Sequence, residues 1–297
     1  MGDVNMEYQM IGSQAFTAII MMMSFGLFVP LIAAIVWTKV KKDKFTTVLL
    51  GAAGFAAFAI ILEAIPKAIL FNRKNILGVY VMSHNWSYIL VGALLAGIFE
   101  ETARFFVFKV IIKGRKNKAT AVSYGIGHGG IEIMYLFISA AVNNLIYAIL
   151  INIGGFGAMV EQMAAIDPSG AEQLEQIAAA LVTLNPADTL LGFWERISAM
   201  LFHIACSIIV FRGVREKGKI WLYPVAILLH TGFDCVAGMY QVGIIRNAYA
   251  VEGIFFGISI AVFAVSILMY KKMPDVYDSD EDDAEAKQLE DIKKLGL

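Results

Sequence analysis

The chain has 297 residues, of which 59% are hydrophobic and only 16% charged, with 24 Lys and Arg against 25 Asp and Glu. A soluble domain carries roughly a quarter charged residues, so this balance excludes an ordinary soluble protein. The net charge of −1 gives no indication of nucleic acid as a partner, and none is expected. Cys206 and Cys235 lie in separate apolar runs at different depths and form no CxxC pair, which argues against a disulfide or a metal cluster.

The N-terminus opens on Gly2, Asp3 and Glu7 without a basic stretch, so no cleavable signal is expected and the first apolar run should stay as a membrane helix. A span needs about 20 apolar residues. The sequence predicts seven: Ala15–Thr38, Phe45–Ile65, Trp86–Ile112, Ala119–Ala140, Glu195–Phe211, Ile220–Tyr240 and Gly253–Tyr270. The fold class expected is all-α, a polytopic membrane helical bundle. Apolar character after the fourth span runs on to Ile153, as in a tilted helix or one followed by a short re-entrant piece.

Loop charge sets the expected orientation. Lys39, Lys41, Lys42 and Lys44 follow span one, and Lys113, Arg115, Lys116 and Lys118 follow span three. Arg212, Arg215, Lys217 and Lys219 follow span five, and Lys271 and Lys272 follow span seven. The other side has only Lys67, Arg73, Lys74 and Arg246. The positive-inside rule then puts the N-terminus outside and the C-terminus in the cytoplasm. One membrane domain is expected over 1–274. It includes an outer loop at about 154–190, in which Ser169 and Glu172 match a capping box before an amphipathic helix. An acidic cytoplasmic tail, 275–297, follows.

Ionisable groups at membrane depth are costly and mark function. Span three has Glu100, Glu101 and Arg104; span four has His128 and Glu132; span five has Arg196 and His203; span six has His230 and Asp234. Glu101 is 12 residues from Lys113, His128 10 from Lys118, His203 9 from Arg212, and His230 11 from Lys219. At 1.5 Å per residue all lie about 13–18 Å deep. They are expected to meet in one pocket, reachable from the half nearest the basic loops. Glu100 and Arg104, His128 and Glu132, and His230 and Asp234 are each i and i+4, so they share helix faces. Glu132 and Asp234 are expected to orient the imidazole preceding them. Gly125, Gly127, Gly129 and Gly130 flank His128, which suits close helix approach or local unwinding. Glu63 and Lys67 read as a local ion pair, Arg196 as structural, and His84 as solvated. Trp37, Trp86, Trp194 and Trp221 read as interfacial anchors.

No HExxH is present, no Gly-x-Ser nucleophile sits at membrane depth, and Asp234 is the lone aspartate within a span. Zincin, rhomboid and presenilin chemistries therefore lack their core residues. The remaining pattern is Glu100-Glu101-Thr102-Ala103-Arg104, Tyr124-Gly125-Ile126-Gly127-His128 and His230-Thr231-Gly232-Phe233-Asp234. It resembles the CAAX-protease and bacteriocin-processing superfamily with the related PrsW proteases. The extra His203 and the seven-span layout look most like the YhfC branch. Tyr124 stands where Phe is usual, Asp234 where Asn is commoner, and Arg104 one position closer to the Glu pair than in many CAAX-type members.

The resemblance implies an intramembrane endopeptidase acting on a membrane-embedded or lipidated peptide. Glu100 with His128 would activate water, Arg104 would hold Glu101, and His230 with Asp234 would stabilise the oxyanion or position substrate. Two routes stay open: a metal-free glutamate mechanism, which is favoured, and Zn²⁺ bound by His128, His203, His230 and Glu101. The competing readings are a permease that uses the buried charges as a relay and a non-catalytic membrane scaffold.

Overall fold

The computed structural model describes residues 8–277. The opening residues Gly2, Asp3 and Glu7, and the acidic tail beyond Tyr277, lie outside them. The long helices are α1 (Ser13–Lys41), α2 (Phe45–Phe55), α5 (Asn85–Phe106), α6 (Ala119–Asn152), α9 (Thr189–Arg215), α10 (Leu222–Gln241) and α11 (Ala248–Lys272). Short helices α3 (Ala64–Leu70) and α4 (Ile76–Ser83) follow α2, while α7 (Phe156–Ile166) and α8 (Pro168–Thr183) follow α6. Two π-helical stretches extend α2 through Ala56–Leu62 and α5 through Val107–Ile111. The chain is a polytopic helical membrane protein. Among the described residues, six helices are long and apolar enough to cross a bilayer: Ser13–Lys41, Phe45–Leu70, Ala119–Asn152, Pro186–Arg215, Leu222–Gln241 and Ala248–Lys272.

The remaining expected span corresponds to α5. With its π-helical extension it is long enough, but Glu100, Glu101 and Arg104 interrupt its second half. A helix bearing three ionisable groups needs protein around it. α5 packs along α10, and both pack on α9. α9 is the innermost span: 72% of its most apolar stretch is buried, against 22–28% in the other five. The outward faces carry large apolar side chains such as Phe28, Ile32, Leu49, Leu90, Val110 and Leu268, as lipid contact requires.

The structure decides several sequence expectations and corrects one, the cap of the outer-loop helix. The fourth span is one unbroken helix of 34 residues, about 50 Å long, so it is tilted or projects from the bilayer and has no re-entrant piece. The outer loop holds two helices, and α8 is capped by Asp167, whose side chain accepts from Ser169 N–H, with Pro168 at the first position. Ser169 is therefore not the cap: with Pro168 at the first helical position, the helix starts two residues earlier than the Ser-x-x-Glu pattern suggests. Glu63 and Lys67 do pair, at 2.7 Å, His84 is exposed, and both cysteines are free.

The glycine-rich start of α6 is helical throughout, so its glycines serve close approach. A Cβ on Gly127 would land on the Val48 carbonyl of α2, and one on Gly51 would land on the Tyr124 carbonyl of α6. Every residue from 119 to 130 is buried. This half of the bundle closes on a core of Phe108, Tyr124, Ile208, Phe211, Leu222 and Tyr277. At the other end, α1 and the C-terminal half of α6 pack with α7 and α8 around Ile19, Ala148, Phe156, Leu174 and Leu181.

Candidate active site

Four helices bring their ionisable side chains to one layer between those two cores. Glu100 Oε2 is the hub. It lies 2.9 Å from His128 Nε2, 3.7 Å from His230 Nε2, 3.8 Å from His203 Nδ1 and 3.9 Å from Arg104 Nη1. Glu100 is 7% exposed, whereas Glu101, Arg104 and His128 are wholly buried. The His203 ring centroid is 5.4 Å from that of His128 and 5.6 Å from that of His230.

Glu101 has a different role. Its Oε1 accepts from Arg104 Nη1 at 2.8 Å and meets His230 Nδ1 at 2.7 Å. Arg104 also donates from Nε to Ser207 Oγ at 3.2 Å and from Nη2 to His203 Nδ1 at 2.7 Å. A guanidinium can only donate. His203 Nδ1 is therefore the acceptor, and its proton sits on Nε2, which faces Glu132 Oε2. Glu132 also accepts from Arg196 Nη1 at 2.9 Å, and Arg196 bonds Glu195 as well. By the same logic, Glu101 draws the His230 proton to Nδ1 and leaves the Nε2 lone pair facing Glu100.

The structure thus brings Glu100, Glu101, Arg104, His128, His203, His230 and Asp234 together, but two local pairings differ from expectation. Glu132 does not touch His128, four residues earlier on the same helix; it crosses to His203 and Arg196 on α9. In a low-dielectric interior a carboxylate goes to the cation, and helix spacing decides only whether a contact is available. Asp234 lies 3.6 Å from His230 Nε2, beyond hydrogen-bond range, because Glu101 already holds that ring. Ser207, which steadies Arg104, and Glu195, which shares Arg196, were not singled out from sequence. Ser207 carries no charge to signal its role, while the adjacency of Glu195 to Arg196 was a visible clue.

A cavity of about 120 Å³ borders this cluster, lined by Glu100, Glu132, Arg196, His203, His230 and Asp234, with Ala237 among its other walls. It lies entirely on the side of the layer away from the basic loops. Toward the basic loops the layer meets buried Tyr124, Phe108 and Phe211. Access from that half, as expected from sequence, is blocked because the glycines of α6 draw α2, α6 and α9 into direct backbone contact there.

The donor set can be tested for a metal ion. Glu100, His203 and His230 each present a ligand atom within 4.8 Å of the others. His203 and His230 are each braced on the opposite ring nitrogen by a carboxylate, Glu132 and Glu101, a bracing typical of metal-bound imidazoles. The chemistry and the spacing fit a divalent cation, with His203 exchanging its bond from Arg104 for the ion. Glu101, in the expected ligand set, is committed to Arg104 and His230 instead. His128 Nδ1 has no hydrogen-bond partner among the described residues.

Comparison with known proteins gives a consistent result. No solved structure matches the chain. It is 33% identical over 222 residues to the uncharacterized membrane protein YhfC of Bacillus subtilis (strain 168), which covers 74% of this chain and 83% of the relative. The family model described as YhfC intramembrane metalloprotease matches residues 25–255, a range that holds every residue of the cluster. The chain belongs to the YhfC family.

Proposed function

We propose that this protein is an intramembrane peptide hydrolase, related in mechanism to the wider CAAX-protease and PrsW group, acting on membrane-embedded or lipidated peptides. The observation that supports it is the convergence of three imidazoles, from α6, α9 and α10, around Glu100 Oε2 of α5, beside a small polar cavity. The basic loops face the cytoplasm in this reading, residues 1–274 form the catalytic membrane domain, and 275–297 is an appended acidic tail.

Zn²⁺ held by His203 and His230 beside Glu100 would supply a Lewis acid and an acidified water at neutral pH, leaving the Glu100 carboxylate free as a base. The chain's own residues do the rest. Glu100 takes a proton from the attacking water as its oxygen adds to the peptide carbonyl carbon. Glu100, held in place by its hydrogen bond to His128 Nε2, then gives that proton to the leaving amine as the C–N bond breaks. Arg104 neutralises Glu101, and the Arg104–Glu101 pair with Glu132 fixes the ring orientations of His203 and His230. Asp234, at the cavity wall, positions the substrate backbone. α6, α9 and α10 run unbroken past the cluster, whereas transporters typically build their substrate sites from interrupted helices, which supports hydrolysis over transport.

The decisive test uses the purified full-length chain and an internally quenched membrane-spanning peptide. Cleavage should need Zn²⁺, vanish on chelation and return on Zn²⁺ addition. Glu100→Gln should cost about 10²–10⁴-fold with the helix content unchanged. Cleavage by Glu100→Gln at the wild-type rate would overturn the proposal.

A further inference from the structure

A second, larger cavity adjoins the first. It measures about 420 Å³ and runs along the seam of α5 and α10, with Lys67 of α3 and Phe71, just past that helix, at its edge. Gly92, Ala93 and Ala96 of α5 form its floor, facing Ala237 and Gly238 of α10. Asp234 and Ala237 line both cavities, so the groove ends where the catalytic cavity begins. Tyr88 Oη donates to Gln241 Oε1 at 3.2 Å across the far end. Like the catalytic cavity, the groove lies on the side away from the basic loops: on α5 its lining residues all precede Glu100, and on α10 they follow His230.

The chemistry of the walls identifies the occupant. Gln241 and Asp234 are seven positions apart on α10, about 10 Å along a helix, the length of about three extended residues. A substrate helix must unwind before a peptide bond can be attacked, and its freed N–H and C=O groups then need partners within the membrane. Small floor residues let a backbone approach closely, while Asp234 accepts from N–H groups and Lys67, paired with Glu63, has further N–H donors at the mouth. An acyl chain would leave these polar groups unmatched.

We propose that this groove is the substrate-binding subsite of the hydrolase. It would hold about three unwound residues with small side chains, admitted from the face opposite the basic loops, with Asp234 as the positioning residue between groove and catalytic cavity. Ala96 and Gly92 set the size limit. This proposal rests on the hydrolytic reading given above, and its test does not require turnover.

The full-length chain carrying Ala96→Cys and Cys235→Ser is placed in oriented vesicles, with wholly buried Cys206 as the internal unreactive control. A membrane-impermeant methanethiosulfonate reagent is added from either face. Modification of position 96 should occur from the face opposite the basic loops. It should slow about tenfold when a membrane-spanning peptide with a Gly-Ala-rich centre is present at about ten times its Kd, and not with an all-Leu peptide. The same protection should appear in a Glu100→Gln background, where the peptide persists. A position 96 as unreactive as Cys206, faster reaction from the basic-loop face, or equal protection by the all-Leu peptide overturns the subsite. Gly92→Cys, at a half-buried position with only Phe71 near its side chain, repeats the measurement if the first variant misfolds. Protection without any cleavage of the Gly-Ala peptide by the wild-type chain would remove the hydrolase reading and leave the groove as a peptide-binding site.

Discussion

The two halves of the bundle solve opposite problems with the same helices. In α6, residues 119–130 are buried without exception, while beyond Gly130 the same helix turns exposed faces such as Tyr135, Ile146 and Ile149 outward. In α9, Ser198–Phe211 is buried almost throughout, whereas Glu195 and Arg196 line the smaller cavity beside Glu100. The half near the basic loops is a dry plug built on glycine-mediated backbone contact. The other half is loosened by two cavities and holds the charged network that reaches the surface through Arg196 and Glu195. The hydrolytic site proposed above would need both: rigid packing to fix the imidazoles and a wet path for water. The layer of Glu100, His128, His203 and His230 sits at their junction.

The comparison can be broken most severely at the junction itself. Arg104→Met should destabilise the protein by about 3–5 kcal/mol, because it leaves the wholly buried Glu101 carboxylate without its guanidinium. Thermal unfolding in detergent reads this loss. Adding Glu101→Gln should recover most of the stability but not activity, since His230 then loses its anionic brace. If Arg104→Met is as stable as wild type, the charge layer is not what holds α5 to α9.

A smaller effect separates the plug from the open half directly. Gly127→Leu drives a side chain into the Val48 carbonyl and should cost about 1–3 kcal/mol or more. Gly232→Leu meets nothing within 4 Å and should be neutral or stabilising. Equal unfolding temperatures for the two variants would contradict the tight contact of α2 and α6.

Much of this layout was legible in the sequence, for reasons tied to particular residues. Apolar runs bounded by Lys and Arg mark membrane crossings because the bilayer imposes length and composition, and counting from those basic residues placed Glu101, His128, His203 and His230 at one depth. The partner of each group was less legible. Spacing on one helix suggested His128 with Glu132 and His230 with Asp234, but partners across helices won: Glu100 for His128, His203 for Glu132, Glu101 for His230. Which faces meet depends on helix rotation, which the glycines of α6 set through contacts with Val48, Ile204 and His203. The direction of access depends on cavities, and no residue pattern encodes an empty volume.

Glu132 tests the wet side without disturbing the plug. Glu132→Gln keeps the shape but withdraws the charge that braces His203 and pairs with Arg196. Peptide cleavage should fall about 10–100-fold, with a matching loss of metal affinity by titration and little change in unfolding temperature. A drop as large as that of Glu100→Gln would instead give Glu132 a direct part in proton transfer.

The smallest effect lies at the outer rim of the plug, where the chain leaves α11. Asp275 pairs with Lys118 Nζ at 2.8 Å, Lys118 N–H donates to the Asp275 carbonyl at 3.0 Å, and Tyr277 N–H donates to the Lys116 carbonyl at 3.0 Å. The hydrogen bond and charge of Lys118, helped by Lys41, hold the Asp275 carboxyl below its usual 3.8. A lowered carboxyl pKa stabilises the docked segment at any pH above the unfolded value, and that stabilisation fades as pH falls through the folded value. Hydrogen exchange at the Lys118 and Tyr277 amides should therefore show protection that is constant from pH 7 to about 5 and weakens below about pH 4, near the ordinary aspartate pKa. In Asp275→Asn the protection should be weaker and flat across that range. Protection that falls with pH equally in Asp275→Asn would assign the clasp to its backbone pairing alone, and would leave the entry to the acidic tail insensitive to charge.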